Sequence, residues 1–356
     1  MRQRFCNTDP RPLRSMTLTQ VVSVAWRKTY DSRNRLPLET LPEVRPDWDA
    51  LLAGGFRFMW CGHSSLVLRI DNLTVLLDPV LSSTASPVSW LVPRFQPAVV
   101  TPDELPPVDV VVISHDHYDH LDRAVICSLA SRQRTRFIVP SSVGERLRGW
   151  GVAADRITEL GWDEFVQVST VRFTATEARH ASRRGVFDGS STLWVSWALH
   201  GVTASVFYTG DSGYGEHWRR IGDAYGPFDV VFAENGQYGE CWPGEHMLPV
   251  QTVAAVRDVR GARFVPVHWG MFDLALHHWS EPVRRSSVEA DRWGVPMITP
   301  LLGQVTKLDT ATYRWWEDVD ARDPRLTLRA DIPAALQPTA VRQHALQADL
   351  AAMQSH

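Results

Sequence analysis

The chain has 356 residues, of which 44% are hydrophobic and 22% are charged. This is the composition of an ordinary globular protein, not of a disordered or membrane-spanning one. Lysine and arginine together number 37, and aspartate and glutamate 40, which gives a formal net charge of −3. We therefore expect no nucleic-acid partner, because a broad basic face is not implied.

Targeting and redox signals are weak. The amino terminus lacks the apolar core of a signal peptide, and no later run approaches the ~18 apolar residues of a spanning helix. The four cysteines are widely spaced, which favours a reducing compartment. We expect a cytoplasmic protein; the 15 tryptophans leave peripheral contact with a membrane open, and the sequence does not give the oligomeric state.

The first segment, residues 1–54, is punctuated by prolines and predicts one helix near Leu18 to Lys28. We expect it to wrap around the main body. From Phe56 onward the pattern changes to short β-rich runs, broken by Gly62 and by Asp71-Asn72 as in a meander.

Residues 55–316 are predicted to form the main domain. The predicted strands are Phe56 to Trp60, Ser65 to Ile70, Thr74 to Leu77, Val108 to Ile113, Phe165 to Thr176, Leu193 to Leu199, Ser205 to Tyr208, Asp229 to Ala233 and Arg263 to Val267. The predicted helices are Leu121 to Ser131, Gly215 to Tyr225 and Pro249 to Val259. Two strand-rich halves, each with helices, indicate packed sheets with helices outside. A tail, residues 317–356, is predicted to carry a helix from Thr339 to Met353.

The segment most suggestive of chemistry is Ser114-His115-Asp116-His117-Tyr118-Asp119-His120. It directly follows a β-branched run that is typical of a strand buried on both faces. Residues two apart in an extended loop face the same way, so His115 and His117 can bind one ion while Asp119 and His120 reach another. A single histidine after a strand is more often a packing residue, but four potential ligands within six residues favour a metal site.

Three further candidates also follow strands: His180, Asp211 and His268. The sequence predicts two sites, one made by His115, His117 and His180, the other by Asp119, His120 and His268, with Asp211 as the bridge. Nitrogen and carboxylate donors suit zinc. Two Zn²⁺ ions would lower the pKa of a shared water and supply hydroxide as the nucleophile. Ser64, Ser65 and Ser212 lie in turns, but the chain has no GxSxG motif for a serine hydrolase.

The HxHxDH motif followed by separate His, Asp and His residues resembles the metallo-β-lactamase superfamily. Within it, the chain resembles the N-acylphosphatidylethanolamine phospholipase D family and its bacterial relatives from about Phe56 to Pro282. The motifs that carry this resemblance are Trp60-Cys61-Gly62-His63-Ser64-Ser65, Leu77-Asp78-Pro79-Val80, Ala85-Ser86-Pro87, Leu105 to Asp109, His115 to Asp122, Thr209 to Tyr214, Gly226 to Asp229 and His268-Trp269-Gly270, with a further hint at Phe5-Cys6-Asn7.

The resemblance implies an αββα four-layer sandwich with two metal ions. The seven family ligands fall on His115, His117, Asp119, His120, His180, Asp211 and His268. His246 matches a family histidine beside the metals that would contact substrate, although it could instead cap the helix after Pro249. Asp78 and His63 would orient ligand imidazoles, and turn formation by Asp78-Pro79 is the simpler alternative.

The resemblance implies a hydrolase acting on a small-molecule or lipid phosphodiester, with Asp119 or a metal-held water managing the proton. Two segments depart from the phospholipase-like members: Ala233 to Tyr238, and Val92 to Phe95. A lactonase or ester hydrolase of the same superfamily therefore stays open. The alternatives from other classes are a di-iron oxidoreductase, whose members typically carry Glu where His117 stands, and a non-catalytic metal-binding protein.

The other histidines are assigned no chemistry. His200, His217, His344 and His356 are expected at the surface, whereas His277 and His278 could reach a pocket rim. Arg183 and Arg184 could offer charge to a phosphate, but basic pairs in loops are usually solvated.

Overall fold

The computed structural model describes residues 4–9, 11, 13, 17–30, 35–88, 90–185 and 188–325. The helix predicted at Thr339 to Met353, together with His344 and His356, lies outside these residues. The predicted domain boundary between residues 316 and 317 falls inside a helix, Trp315–Ala321. Within the described part of the chain, each helix is too short or too polar to cross a bilayer.

Six strands from the first half of the chain and one from residues 305–306 build a seven-stranded sheet. Its strands are β1 (Arg57–Trp60), β2 (Leu66–Ile70), β3 (Leu73–Leu77), β4 (Val110–Val112), β5 (Arg136–Pro140), β6 (Ile157–Leu160) and β13 (Val305–Thr306). They lie in the order β13-β1-β2-β3-β4-β5-β6. The meander β1-β2-β3 is antiparallel, and β3 to β6 run parallel.

The second half builds a six-stranded sheet. Its strands are β7 (Phe165–Val168), β8 (Val171–Thr176), β9 (Ser196–His200), β10 (Ser205–Tyr208), β11 (Val230–Glu234) and β12 (Phe264–Val267), in the order β12-β11-β10-β9-β8-β7. Strands β10, β11 and β12 are parallel, while β7 to β10 alternate in direction.

The helices lie on the outer faces and at the ends of the two sheets. They are α1 (Leu18–Tyr30), α2 (Trp48–Leu52), α3 (Arg123–Arg132), α4 (Gly144–Gly149), α5 (His217–Tyr225), α6 (Pro249–Asp258), α7 (Glu281–Trp293) and α8 (Trp315–Ala321). One apolar cluster lies under α3 and α4, and another under α5, α6 and α7. Between the sheets, Phe58 of β1 meets Phe232 of β11 edge-on at 5.1 Å. The layers are thus helix, sheet, sheet and helix, which confirms the αββα prediction.

The segment before the main domain does wrap around it. The Phe5 amide donates to the Ser190 carbonyl at 2.9 Å, and Leu41 lies fully buried in the central core. Helix α1 packs Val24 against Trp242 and Ala275. The N-terminal residues are therefore part of the same folded body as the sheets.

The strand directions explain why the site forms where it does. Strands β1, β3, β4, β8, β10, β11 and β12 all point the same way within their own sheets. The loops that follow them emerge at the carboxyl ends of these strands, where layered α/β folds gather polar groups. The candidate ligands all lie in such loops.

Candidate metal centre

Two groups of side chains at this edge hold donor atoms close enough to share metal ions. We call His115, His117 and His180 the His117 set, and Asp119, His120 and His268 the His268 set. The donor atoms of the His117 set and of Asp211 all lie within 4.8 Å of one another, as do those of the His268 set together with His63. The sequence prediction placed the same residues in the same two sets, with Asp211 between them.

In the His117 set, the Nδ1 atom of His117 lies 2.9 Å from His115 Nε2 and 3.2 Å from His180 Nε2. The Asp211 Oδ2 atom completes the set at 3.7 and 3.8 Å from those two Nε2 atoms. Donors bound tetrahedrally to one Zn²⁺ are separated by roughly 3.3 Å. The arrangement therefore fits a single tetrahedral ion.

The His268 set converges on the same Asp211 oxygen. Asp211 Oδ2 lies 3.1 Å from both His120 Nε2 and His268 Nε2. Asp119 Oδ2 lies 3.3 Å from His268 Nε2 and 3.5 Å from His120 Nε2. Because one carboxylate oxygen is within 3.8 Å of donors from both sets, Asp211 is placed to bridge two ions.

An unpartnered buried atom supports a metal site. Asp211 Oδ1 is fully buried and makes no hydrogen bond to any residue that the structure describes. An unsatisfied buried polar atom normally costs about 1–3 kcal/mol, more when it is charged. A bound cation would remove that cost, so the residues present fit a metal pair.

The two sets differ in their protonation. Burial lowers the pKa of His115 and of His180 well below the usual value, which leaves neutral imidazoles. In the other set, burial opposes protonation, but the charges of Asp211 and Asp119 outweigh it. They raise the pKa of His120 well above normal and that of His268 to about 9. Protons thus occupy the His268 set until a metal displaces them.

The ligand loop after β4 is fixed at its carboxyl end and in its middle. At its carboxyl end, the Asp122 carboxylate caps α3, accepting from the amides of Ala124 and Val125 at 2.9 and 3.5 Å, and also binds the Ser82 amide at 2.8 Å. In its middle, Asp116 is buried and pairs with Arg146. These contacts fix the spacing of the four potential ligands.

Asp78 lies behind the His268 set. Its Oδ2 is 2.7 Å from His120 Nδ1 and also accepts from the Ser114 and Tyr208 hydroxyls, while its Oδ1 accepts from the Ser114 amide at 2.7 Å. Such a carboxylate fixes which imidazole nitrogen faces a metal. Asp78 also has a left-handed φ of 38°, an unfavourable conformation for a non-glycine residue.

His63 contacts a carboxylate as well as an imidazole. Its Nε2 lies 2.9 Å from Asp119 Oδ2, and its ring centroid lies 4.4 Å from that of His268. Both His63 and His268 have left-handed backbones, with φ of 51° and 66°. Backbone strain of this kind concentrates at functional sites, which supports a role for this edge of the sheet.

Two glycines let the ligand loops approach each other. A Cβ at Gly213 would lie 1.9 Å from the Gly244 carbonyl oxygen, and one at Gly210 would lie 2.7 Å from the Ser114 side chain. Gly210 also has a left-handed φ of 55°. Glycine on either side of Asp211 therefore allows the bridging carboxylate to enter between the sheets.

The remaining histidines and arginines differ partly from expectation. His217 was predicted at the surface, but only 3% of it is exposed, and its Nε2 lies 3.1 Å from the Ser212 hydroxyl. His277 lines a cavity with about 10 Å³ of space for water, next to Gln237. Arg184 is no free phosphate ligand, because it donates to the Asp116 and Leu121 carbonyls and stacks on Tyr118 at 4.0 Å.

The sequence analysis did not single out Glu234, which lies at the centre of the site. Glu234 ends β11, is fully buried, and belongs with Asp211, His246 and His268 to a third group whose donor atoms lie within 4.8 Å. Burial and the nearby Asp211 charge raise its pKa well above normal. The signal was present in the sequence, since Glu234 is a carboxylate at the end of an apolar strand.

Comparisons with known proteins bear on the family and the fold. The family model described as "Beta-lactamase superfamily domain" matches residues 74–269. An uncharacterized protein of Mycobacterium tuberculosis is 38% identical over 320 residues, covering 88% of this chain and 85% of that protein. The N-acyl-phosphatidylethanolamine-hydrolyzing phospholipase D 1 of Caenorhabditis elegans is 29% identical over 299 residues, covering 78% and 82%. Igni18, a metallo hydrolase from Ignicoccus hospitalis, superposes with a TM-score of 0.54 at 18% identity, covering 71% and 98%.

Proposed function

The chain belongs to the metallo-β-lactamase superfamily of metal-dependent hydrolases, and from this premise we propose that it is a dinuclear zinc hydrolase that cleaves phosphodiesters. The observation that supports two ions is the position of Asp211 Oδ2, within 3.8 Å of imidazole nitrogens from both sets. The likeness to the phospholipase D of Caenorhabditis elegans supports the phosphodiester.

The proposed ligands are His115, His117 and His180 for one ion and Asp119, His120 and His268 for the other, with Asp211 shared. When bound, two zinc ions supply a water of lowered pKa and polarise the phosphoryl group. The donor set, imidazole with carboxylate and no thiolate, is one that zinc accepts.

The protein's own residues then orient and move protons. Asp119 is 13% exposed, against 1–2% for Asp211 and His268, so its carboxylate lies at the opening of the site. It can accept a proton there while His63 holds its Oδ2 from the buried side at 2.9 Å. His246, 12% exposed, lies at the same opening and can contact the substrate. The two residues would therefore face the phosphoryl group.

The test combines metal analysis with a substrate panel. Purified protein should contain two zinc equivalents and hydrolyse bis(p-nitrophenyl) phosphate and an N-acyl phosphatidylethanolamine, because both present a phosphodiester to the same ion pair. Lactones should turn over more slowly. Faster lactone turnover would assign the chain to the lactonases, two iron atoms would favour oxidoreductase chemistry, and zinc-loaded protein inactive on the whole panel would refute the hydrolase proposal.

A further inference from the structure

The backbone of Glu234, which the sequence did not single out, is fixed from both sides. Its amide donates to the Thr209 hydroxyl at 2.8 Å, and its carbonyl accepts from the Thr252 hydroxyl at 2.9 Å. The residue is fully buried at the end of β11. The fixed backbone therefore limits the positions that the Glu234 carboxyl group can reach.

The two carboxylate oxygens of Glu234 serve different neighbours. Oε2 accepts from the Ser212 amide at 2.7 Å, next to the shared ligand Asp211. Oε1 pairs with His246 Nδ1 and lies 3.9 Å from His268 Nδ1. Burying a carboxyl group is costly unless its oxygens find hydrogen-bond partners. An amide could satisfy Ser212 equally well, so the contact with the imidazole explains why a carboxyl group stands here.

The ring of His246 lies next to one histidine of each set. Its centroid is 5.2 Å from that of His180 and 5.1 Å from that of His268, on which it stacks at 22°. His246 comes from the loop before α6, and the neighbouring Met247 is fully buried. Among the described residues, Glu234 is the hydrogen-bond partner found for this ring. The opposite edge, which carries Nε2, is therefore the part left toward the opening.

We propose that Glu234 is a positioning residue that holds His246 by its Nδ1, so that Nε2 faces a phosphoryl or leaving-group oxygen of the bound substrate. This inference rests on the proposed hydrolase function. It is the same arrangement by which carboxylates fix imidazole orientation elsewhere in proteins. Glu234 would touch neither substrate nor metal and would act through His246.

The competing role for Glu234 is that of a metal ligand, since Asp211, Glu234, His246 and His268 hold their donor atoms within 4.8 Å. A ligand and a positioning residue respond differently to Glu234→Gln. Loss of a ligand lowers the metal content, whereas loss of a positioning residue leaves it at the wild-type value. The distinction can therefore be measured without any assay of activity.

The experiment is a double-mutant cycle with Glu234→Gln and His246→Ala in the zinc-loaded full chain. Glu234→Gln should retain the wild-type metal content and lower kcat by about 10- to 100-fold, with KM changed less. In the His246→Ala background the same change should cost less than about 2-fold, because its effect passes through the ring. Glu281→Gln is the matched control, since that partly buried acid bonds Tyr238 and Arg285 and does not reach the histidine sets.

In the double-mutant cycle, the proposal is overturned by metal loss in Glu234→Gln or by an equal loss of kcat with and without His246. If the wild-type chain is inactive on the panel, the hydrolase proposal fails but Glu234 can still be tested. Histidine ¹⁵N spectra of metal-free protein should show a carboxylate-bonded Nδ1 for His246 that changes in Glu234→Gln. An unchanged His246 signal, or a wild-type signal without that bond, would refute the positioning role even if the variant folded poorly.

Discussion

The two donor sets share one carboxylate but are supported by different parts of the molecule. The His268 set rests on the buried core: Asp78 holds His120, and Trp269, directly after His268, stacks between Trp60 and Trp315 at 5.4 Å from each. The His117 set rests on loops and on the N-terminal segment. His180 Nδ1 lies 3.2 Å from the Glu245 carbonyl oxygen, and Asn7 binds both the amide and the carbonyl of His180.

This difference in structural support predicts that the two ions would be bound with different strength. Groups packed between sheets have no room to shift, because protein interiors are close-packed. Loops and terminal segments open locally at much lower free energy. We therefore expect the ion in the His268 set to be retained longer than the one in the His117 set, unless the shared ligand is removed.

Asp211→Ala removes the carboxylate that the two sets share and should have the largest effect. Both ions lose a ligand, so we expect at least one of two metal equivalents to be lost and kcat to fall by more than the ~100-fold typical of a residue outside the ligand shell. Elemental analysis and phosphodiester turnover measure this. Asp223→Ala, at an exposed position on α5, is the control, and full metal retention by Asp211→Ala would contradict a shared ligand.

The pH dependence of metal-free protein should separate the sets. The pKa of His268 is about 9, against 6.5 ordinarily, because Asp211 and Asp119 outweigh the effect of burial. The folded state thus binds this proton more tightly than the unfolded chain. The resulting stability is fully present below pH 6.5 and is lost as the pH rises through 9. A shift of this size corresponds to on the order of 3 kcal/mol.

Urea unfolding of metal-free protein between pH 6.5 and 9 tests this dependence. The free energy of unfolding should fall with pH for the wild type and for His115→Asn, because burial holds the pKa of His115 low. The fall should be smaller for His268→Asn, in which the raised pKa of His120 still contributes. Zinc-loaded protein should show little slope, because the metal replaces the proton. Equal slopes for both variants would show that the sets do not differ in charge.

Asp78→Asn should weaken one set selectively. Replacing the carboxylate leaves His120 Nδ1 without its charged partner, and losses of this kind cost about 10- to 100-fold in metal affinity. We expect one metal equivalent to be weakened by that factor while the other is nearly unchanged, as measured by competition with a chelator. The control is Asp109→Asn, at the opposite end of β4, where the carboxylate accepts from the Thr74 amide at 2.8 Å. Equal weakening of both ions by Asp78→Asn would show that this carboxylate does not act on one set alone.

The sequence predicted much of this arrangement because its strongest signals are local. Four potential ligands directly after a β-branched strand predict a metal loop, and single histidines after strands extend it, since parallel strands bring their carboxyl ends together. Helices and strands with weak patterns were missed, among them β5, β6 and α7. Which tail residues pack on Trp269 also could not be predicted, because stacking between Trp269 and Trp315 depends on tertiary contact across 46 residues of chain.

The contacts of Glu234 and His217 could not be predicted from sequence patterns. Glu234 was treated only as part of a departure from the family motif, because nothing in its neighbours along the chain indicates that His246 lies beside it. His217 has polar neighbours in sequence but is buried against Ser212. For Glu234 the deciding partner comes from another loop, so that contact exists only once the loop has packed against β11. For His217 it is Ser212, in the loop that leads into α5.

Asn7→Ala should have the smallest effect. It tests the support that the N-terminal segment gives to the His117 set. The Asn7 amide donates to the His180 carbonyl at 2.9 Å, and its oxygen accepts from the His180 amide at 3.1 Å and the Trp194 indole at 3.0 Å. Each lost bond should cost about 0.5–1.5 kcal/mol of stability, and only part of that loss acts on metal binding, because the ligand itself is retained. We expect the affinity of the ion in the His117 set to fall by about 10-fold or less, and that of the other ion to stay unchanged.

The control is Thr8→Ala, whose side chain bonds Glu177 instead and which should leave both affinities unchanged. If Thr8→Ala weakened the ion as much as Asn7→Ala does, the N-terminal segment as a whole, and not the bond to His180, would support the site.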